Sequence, residues 1–595
     1  MHPRPRLTRE RWQDLCGEWE FAHDDGDAGL LAGWWRGDKP FDQVITVPFP
    51  PESSASGVHD PTPHPVVWYR RTFTAPEAER LVLHFGAVDY RARVWVNGTE
   101  VASHVGGHAP FQADISHALV TGEQIVVVRA EDRVEDLTQP RGKQYWEPEP
   151  DVIWYHRTTG IWQPVWLEPL PAAHVSELEW RPSAASNSVT VRAAVDGPTA
   201  GLSLRVRLTS GDRVLADDRY AVDGAELART ITLPRGDFRW SPADPRLVDA
   251  EVSLVRGDAT VDTVASYFGL RDVAVRDGRF TINGERLFLR LVLAQGYWPE
   301  SHLAAPSEDA LRREVELIKE LGFNGVRVHQ KVEDPRFLYW CDRLGLVVWG
   351  EVANAYEYSV DGVARFTAEW LEVVRRDVSH PSVVTWVPVN ESWGTPALHD
   401  DPRQRHFLES LYHLTHAVDG TRPVISNDGW EHATSDIWTV HDYSPSAEDL
   451  TSRYGTAAAV DAAMGRDWPG AHRVHLGDPV RGEQPLMVTE FGGLSYTPSA
   501  GERWFGYRTV ASAEDLLLAY ERLVTALVGS DQVAGYCYTQ LTDTEQEVNG
   551  LLTEAREPKV DPAEIRRINA LPAASVPTER LAQLVEEARR AARGE

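Results

Sequence analysis

Cysteine is scarce: Cys16, Cys341 and Cys537 are the only three in 595 residues. They lie far apart and without paired spacing, which excludes a cysteine zinc site and a disulfide framework and suits a reducing compartment. Long apolar runs are missing too, and nothing approaches the roughly 20 residues that a spanning helix requires. No membrane partner is expected. Basic charge is in deficit, with 60 Lys and Arg against 89 Asp and Glu for a formal net charge of −29. That balance repels nucleic acid and anionic lipid, so a neutral or weakly charged substrate fits better, although a local arginine pocket could hold an acid. The opening MHPRPRLTRERWQDLCGEWEF starts basic but lacks the apolar segment and small-residue cleavage site of a secretory leader. Unless a leader has been removed, the expected location is cytoplasmic. There is no internal repeat and no low-complexity tract.

What is present is a long chain with a change of pattern along it, and its length calls for several cores. The first third carries short alternating runs between turn residues: VVWYRRTF (66–73), RLVLHFG (80–86), RARVWVNG (91–98) and EQIVVVRAED (123–132). Period-two alternation means half-buried strands, so an all-β sandwich is expected over 1–171. A second alternating block, 172–268, contains SVTVRAAV, LSLRVRLTS and AEVSLVRGD and has the length of an immunoglobulin-like β-sandwich. From about Gly269 short apolar strands alternate with helices, the signature of parallel β/α architecture over 269–595. The clearest helix follows Ser307, a capping residue, with Leu311, Val315, Ile318 and Leu321 at helical spacing. A last helix from Thr578 is expected on the barrel exterior.

Eight runs read as barrel strands: RLFLRLVLAQ, NGVRVH, LVVWGE, VVTWVPVNE, PVISND, IWTVHDY, PLMVTEFGG and VAGYCYTQ. They fit one closed (β/α)8 TIM barrel, whose active site lies at the C-terminal ends of the strands. Two of those ends are glutamates, Glu391 and Glu490, on the fourth and seventh strands. Two carboxylates in one pocket are what glycosidic cleavage needs, one to protonate the leaving oxygen and one to attack the anomeric carbon. In a retaining enzyme they stand about 5 to 5.5 Å apart, and the acid is expected to be protonated near neutral pH while the nucleophile is ionised.

These motifs resemble glycoside hydrolase family 2, the family of β-galactosidases, β-glucuronidases and β-mannosidases, over essentially the whole chain. VVWYRRTF, FGAVDYRARVWVNGTEVASHVGGHAPFQADIS and TTGIWQPVWLEP are similar to its jelly-roll sugar-binding domain. LGFNGVRVH, FLYWCDRLGLVVWGE, HPSVVTWVPVNES and MVTEFGG resemble its barrel motifs. The resemblance implies that Glu391 is the acid/base and Glu490 the nucleophile. It further implies that Asn390 hydrogen-bonds the hydroxyl beside the anomeric carbon, that Arg327 pairs with the nucleophile, and that Tyr443 donates to it. His329 and His441 follow the second and sixth strands, as pocket-lining or as structural histidines.

Departures fall on sugar-contacting positions. Tyr538, in GYCYTQ, stands where many members have a tryptophan platform. The first strand ends in AQGYW, so Gln295 and Trp298 either replace the missing substrate motif or only close the strand. WGEVANAYEYS does not match the metal ligands of some large β-galactosidases, so no metal and no cofactor are expected, and Glu351 is either a pocket residue or a buried, paired carboxylate. The aromatic run YWEPEPDVIWY (145–155) suits sugar stacking or packing on the barrel. The function expected is a retaining exo-glycosidase for a β-galactosyl-type sugar. The alternatives are a β-D-galactofuranosidase or α-L-arabinofuranosidase, then a β-glucuronidase or β-mannosidase, and outside enzymes a carbohydrate-binding protein. Its partner is a carbohydrate, and a homo-oligomer is compatible with the sequence.

Overall fold

The computed structural model describes residues 1–464, 473–477, 482–496 and 505–593. The first region packs a six-stranded sheet, with Val66–Thr74 and Glu123–Glu131 at its centre, against a four-stranded one containing Arg80–Phe85 and Val165–Leu170. Between them lie Trp19, Phe21, Tyr69, Leu83, Phe85, Val94 and Val128, all buried. The start of Val66–Thr74 is buried on both faces, because Trp34, Trp35 and Trp95 cover the outer one beside Val66 and Trp68.

The second region packs the strands His174–Ser183, Ser188–Asp196 and Glu226–Thr232 against a four-stranded sheet that runs Arg213–Ala221, Leu202–Ser210, Val248–Arg256, Ala259–Phe268. Its period-two pattern is clean: Leu202, Leu204, Val206 and Leu208 point into the core while their neighbours stay half-exposed.

The barrel strands are Leu289–Ala294, Gly325–Val328, Val347–Glu351, Val383–Val387 continued by Val389–Asn390, Asn427–Asp428, Trp438–His441, Leu486–Gly492 and Val533–Thr539. The first pairs in parallel with the eighth as well as with the second, and the sixth pairs with the seventh, so the sheet curls into a ring. The fourth and fifth are joined by Val389–Asn427 and Asn390–Asp428 pairs and a Trp386–Val424 bridge. Alternation sorts the side chains: Leu289, Leu291, Leu293, Trp349, Met487 and Cys537 fill the barrel, while Val292, Val326, Val328, Tyr536 and Tyr538 face the surrounding helices.

Ser307 caps the helix Glu308–Glu320 by accepting from the Ala310 amide at 3.1 Å, and Leu311, Val315 and Ile318 are its buried face. The last helix, Pro577–Arg593, differs from expectation. Glu579 at its start pairs with Arg290 at 2.6 Å, but Leu581, Leu584 and Val585 further on are exposed, so only the first turn docks on the barrel.

A strap of the first region, 139–157, crosses to the barrel mouth. Arg141 and Gly142 amides donate to the Asn354 carbonyl at 3.1 and 3.0 Å, and the Gln546 amide reaches the Trp154 carbonyl at 2.8 Å. Gly142 has φ +61°, and a Cβ there would run into the Gln330 carbonyl, so only glycine lets the strap sit this close.

Candidate active site

The site is built around Arg327, which is fully buried on the second strand. Its guanidinium reaches Glu490 at 2.9 Å, Asp428 at 2.7 Å and Asn390 Oδ1 at 2.6 Å, and its Nε donates to Glu351. One planar cation with fixed donors thus orients side chains from four other strands. The three carboxylates around it offset the cost of burying the charge, and loss of Arg327 would leave them buried without their counter-ion.

Glu490 is fixed at both oxygens. Oε1 takes Arg327, and Oε2 accepts the Tyr443 hydroxyl at 2.6 Å. Burial, then the Glu490 charge, raise the Tyr443 pKa well above the ordinary phenol range, so this tyrosine is a neutral donor. Its ring stacks on Tyr507 with centroids 3.6 Å apart.

Glu391 ends the fourth strand with φ +49°, and Ser392 follows with φ +59°. Two non-glycine residues in the left-handed region carry strain that the surroundings must enforce. Here the fifth strand enforces it: the Glu391 amide donates to the Asp428 carbonyl at 3.0 Å and the Ser392 amide to Asn427 Oδ1 at 2.9 Å. The bend turns the Glu391 carboxylate toward the seventh strand, where oxygens of Glu391 and Glu490 and a ring nitrogen of His441 lie within 4.8 Å of one another.

His441 bridges the two halves of the site, with Nδ1 2.7 Å from Glu391 and Nε2 3.0 Å from Asp428. Burial alone would lower its pKa, but Glu490, Asp428 and Glu391 push it up to about 10. Burial alone would raise the Glu391 pKa, yet the His441 hydrogen bond and charge outweigh burial and lower it. His441 thus favours the ionised form of Glu391. His329 lies 3.2 Å from Glu351, and burial with the charges of Arg327 and Lys143 holds its pKa well below normal, so it is neutral. Glu351 takes the second of its two readings, a buried carboxylate paired with Arg327.

Three expected pocket residues stand elsewhere or do something else. Tyr538 points away from the barrel interior and packs on Phe491 and Tyr520, since strand alternation puts Cys537 and Thr539 inside and Tyr538 outside. Thr539, 3.4 Å from the Tyr443 hydroxyl, is the strand-eight residue at the site. Trp298 lies under the Arg556 guanidinium, 3.6 Å from the ring centroid, and makes no ring contact with the residues above. Gln295 is buried and donates to Gln540 at 2.7 Å.

Three contributors went unread in the sequence, Asp428, Glu547 and Lys143, while a fourth, Tyr155, was read only as part of the aromatic run 145–155. Burial raises the Glu547 pKa despite Lys143 and its hydrogen bonds with Tyr155 and Asn549. Lys143, on the strap and buried, acts electrostatically on Glu391, Glu547 and His329 yet forms no ion pair with a described carboxylate. Asp428 ends a strand as the two glutamates do and was open to the same reasoning, whereas Lys143 lies in another region with no local signal.

Residues 12–171 match the sugar-binding domain of glycosyl hydrolases family 2, and residues 273–493 match that family's TIM barrel domain. A β-galactosidase of Thermoanaerobacter pseudethanolicus is 28% identical over 60% of this chain and 48% of its own length. A protein named putative β-glucuronidase from Formosa agariphila is 27% identical over 60% of this chain and 44% of its own. The chain thus spans about half the length of these two relatives. Among solved structures, the β-glucuronidase of Bifidobacterium dentium complexed with coumarin-3-O-glucuronide superposes with a TM-score of 0.77 at 20% identity, over 95% of this chain and 98% of that one. With both family domains matched in order and the barrel ring found in the structure, the chain belongs to glycoside hydrolase family 2.

Proposed function

We propose that the protein is an exo-acting retaining glycoside hydrolase that removes a terminal β-galactosyl-type sugar by double displacement, on a barrel preceded by a jelly-roll and an immunoglobulin-like sandwich. The approach of the Glu391 and Glu490 oxygens to within 4.8 Å carries the reading. Inverting enzymes hold their carboxyl groups about 6.5 to 9.5 Å apart to admit a water, and retaining ones about 5 to 5.5 Å.

In the first step Glu490 attacks the anomeric carbon, aimed by Arg327 and Tyr443, while Glu391 protonates the leaving oxygen. Glu391 needs a proton for this step, and His441 Nδ1, 2.7 Å away, is placed to exchange one with it. In the second step Glu391 takes a proton from water, which cleaves the glycosyl ester on Glu490 and restores the starting anomeric configuration. The Asn390 carbonyl oxygen is held by Arg327, which leaves its amide free to donate to the hydroxyl next to the reacting carbon.

A neutral sugar suits a site where Glu391, Glu490 and Glu547 gather their carboxylates. A β-uronide is the second reading, favoured by Lys143, whose ammonium pairs with no described carboxylate, and by the relatives' names. A panel of aryl β-D-galactopyranoside, β-D-galactofuranoside, α-L-arabinofuranoside, β-D-glucuronide and β-D-galacturonide decides between them by kcat/KM. A galactopyranoside preference above about 100-fold, or roughly 2.7 kcal/mol, supports the first reading. A uronide preference that falls about 10- to 100-fold in Lys143→Met supports the second, since a charge-assisted hydrogen bond contributes about 1.5 to 3 kcal/mol. Turnover of none of these substrates sinks both.

A further inference from the structure

The acid/base residue marks the side from which the leaving group departs, because the group that protonates the glycosidic oxygen must lie next to the aglycone. Next to Glu391 the structure gathers five aromatic rings from three places in the sequence. Trp393 follows Glu391 by two residues, Tyr356 comes from the loop after the third strand, and Tyr145, Trp146 and Trp154 come from the strap. The rings are contiguous. Tyr356 is 4.9 Å from Trp393 and 4.6 Å from Trp146, Trp154 is 5.9 Å from Trp393 and 5.3 Å from Trp146, and Tyr145 stacks on Trp154 at 5.7 Å with 14° between planes. Tyr356 is buried at the centre, while Tyr145, Trp146, Trp154 and Trp393 remain half-exposed.

The cluster is held in position. Trp154 Nε1 donates to the Tyr356 hydroxyl at 2.7 Å, and that hydroxyl donates to the Gly142 carbonyl. Its place beside the acid/base is set by Trp393, two residues past Glu391, whose amide donates to the Asn390 backbone carbonyl at 3.0 Å. Four large half-exposed aromatics at one edge of a pocket form a surface suited to a flat partner.

We infer that Trp146, Trp154 and Trp393 form the aglycone subsite, which binds a leaving group with a flat apolar face: an aromatic ring or the C–H face of a second sugar. This rests on the assignment of Glu391 as acid/base and names what that assignment leaves open, the other half of the substrate. Trp146 is the ring to remove, since Trp154 holds the strap and Trp393 adjoins Glu391.

The test compares three substrates of whichever sugar the panel selects: the glycosyl fluoride, which has no aglycone face, the 4-methylumbelliferyl glycoside, and a β-linked disaccharide. Trp146→Ala is expected to lower kcat/KM about tenfold for the second, the third or both, to leave the fluoride within about twofold, and Trp146→Phe to restore most of the loss. Loss on the umbelliferyl glycoside alone identifies aryl aglycones, and loss on the disaccharide alone identifies a sugar. Equal loss on all three, or no loss on any, overturns the subsite. Binding of free 4-methylumbelliferone and of the disaccharide, followed by calorimetry in wild type and Trp146→Ala, needs no turnover. A protein that hydrolyses nothing yet loses such binding keeps the platform and loses the glycosidase reading. Unchanged affinity for both ligands removes the platform.

Discussion

The floor of the pocket and its rim are made in opposite ways. The floor is a knot of buried charges at barrel strand ends, with Arg327 joined to Glu351, Asn390, Asp428 and Glu490 in a network where each partner fixes the next. The rim is a set of half-exposed aromatics and one lysine, brought by a strap from the first region and fastened through contacts such as Tyr155 to Glu547, 392 residues apart. A floor of this kind tolerates almost no change, because a buried ion without its partner is expensive. A rim of stacked rings tolerates more and is where substrate preference can vary without loss of the chemistry.

The sharpest break of that contrast is at the nucleophile. Glu490→Gln is expected to reduce kcat roughly 10^4-fold or more on any substrate, whereas Trp146→Phe should stay within about threefold. Residual Glu490→Gln activity within tenfold of wild type would place the chemistry elsewhere. Glu391→Ala should lose about 10^2- to 10^4-fold on poor leaving groups and recover on an activated aryl glycoside with azide, giving the β-azide product. Absence of rescue on such a substrate would remove its acid/base role.

Stability separates the two regions next. Arg327→Met strands three buried carboxylates and should cost about 3–5 kcal/mol, read as a lowered unfolding temperature or lost soluble yield. Tyr155→Phe at the rim, which removes one buried hydrogen bond, should cost about 1–3 kcal/mol. Equal effects would mean that the strap, not the charge knot, organises the site.

A pH-dependent effect belongs to His441. Its pKa of about 10 in the folded protein exceeds the ordinary value near 6.5, so its stabilising contribution is complete below about pH 6.5 and is lost as pH rises toward 10. Thermal unfolding at pH 6.5 and 9.5 should therefore show a decline in wild type that His441→Gln flattens. An identical slope in both proteins would contradict the charged bridge between Glu391 and Asp428.

Much of the floor was legible because a local rule found it. Residues that end apolar runs face the barrel mouth, and that rule reached Glu391 and Glu490, while the family resemblance added Asn390, Arg327, His441 and Tyr443. It passed over Asp428, whose strand is two residues long and ends in an Asn-Asp pair that also reads as a turn. The family resemblance put Tyr538 at the pocket, but alternation has a period of two, so a difference of one residue exchanges the inside of the barrel for the outside. The rim was legible only in part: the aromatic run 145–155 read as sugar stacking or packing on the barrel, but nothing in it says that the strap meets the loops after the third, fourth and eighth strands. Those contacts span more than 200 residues and depend on Gly142 fitting against Gln330.

The double displacement is tested most directly by the anomer first released. With an aryl β-glycoside that the enzyme turns over, proton NMR recorded before mutarotation should show the β-hemiacetal, the outcome of two inversions at carboxylates whose oxygens lie within 4.8 Å. Initial release of the α-anomer would mean a single inversion by water and would contradict Glu490 as nucleophile.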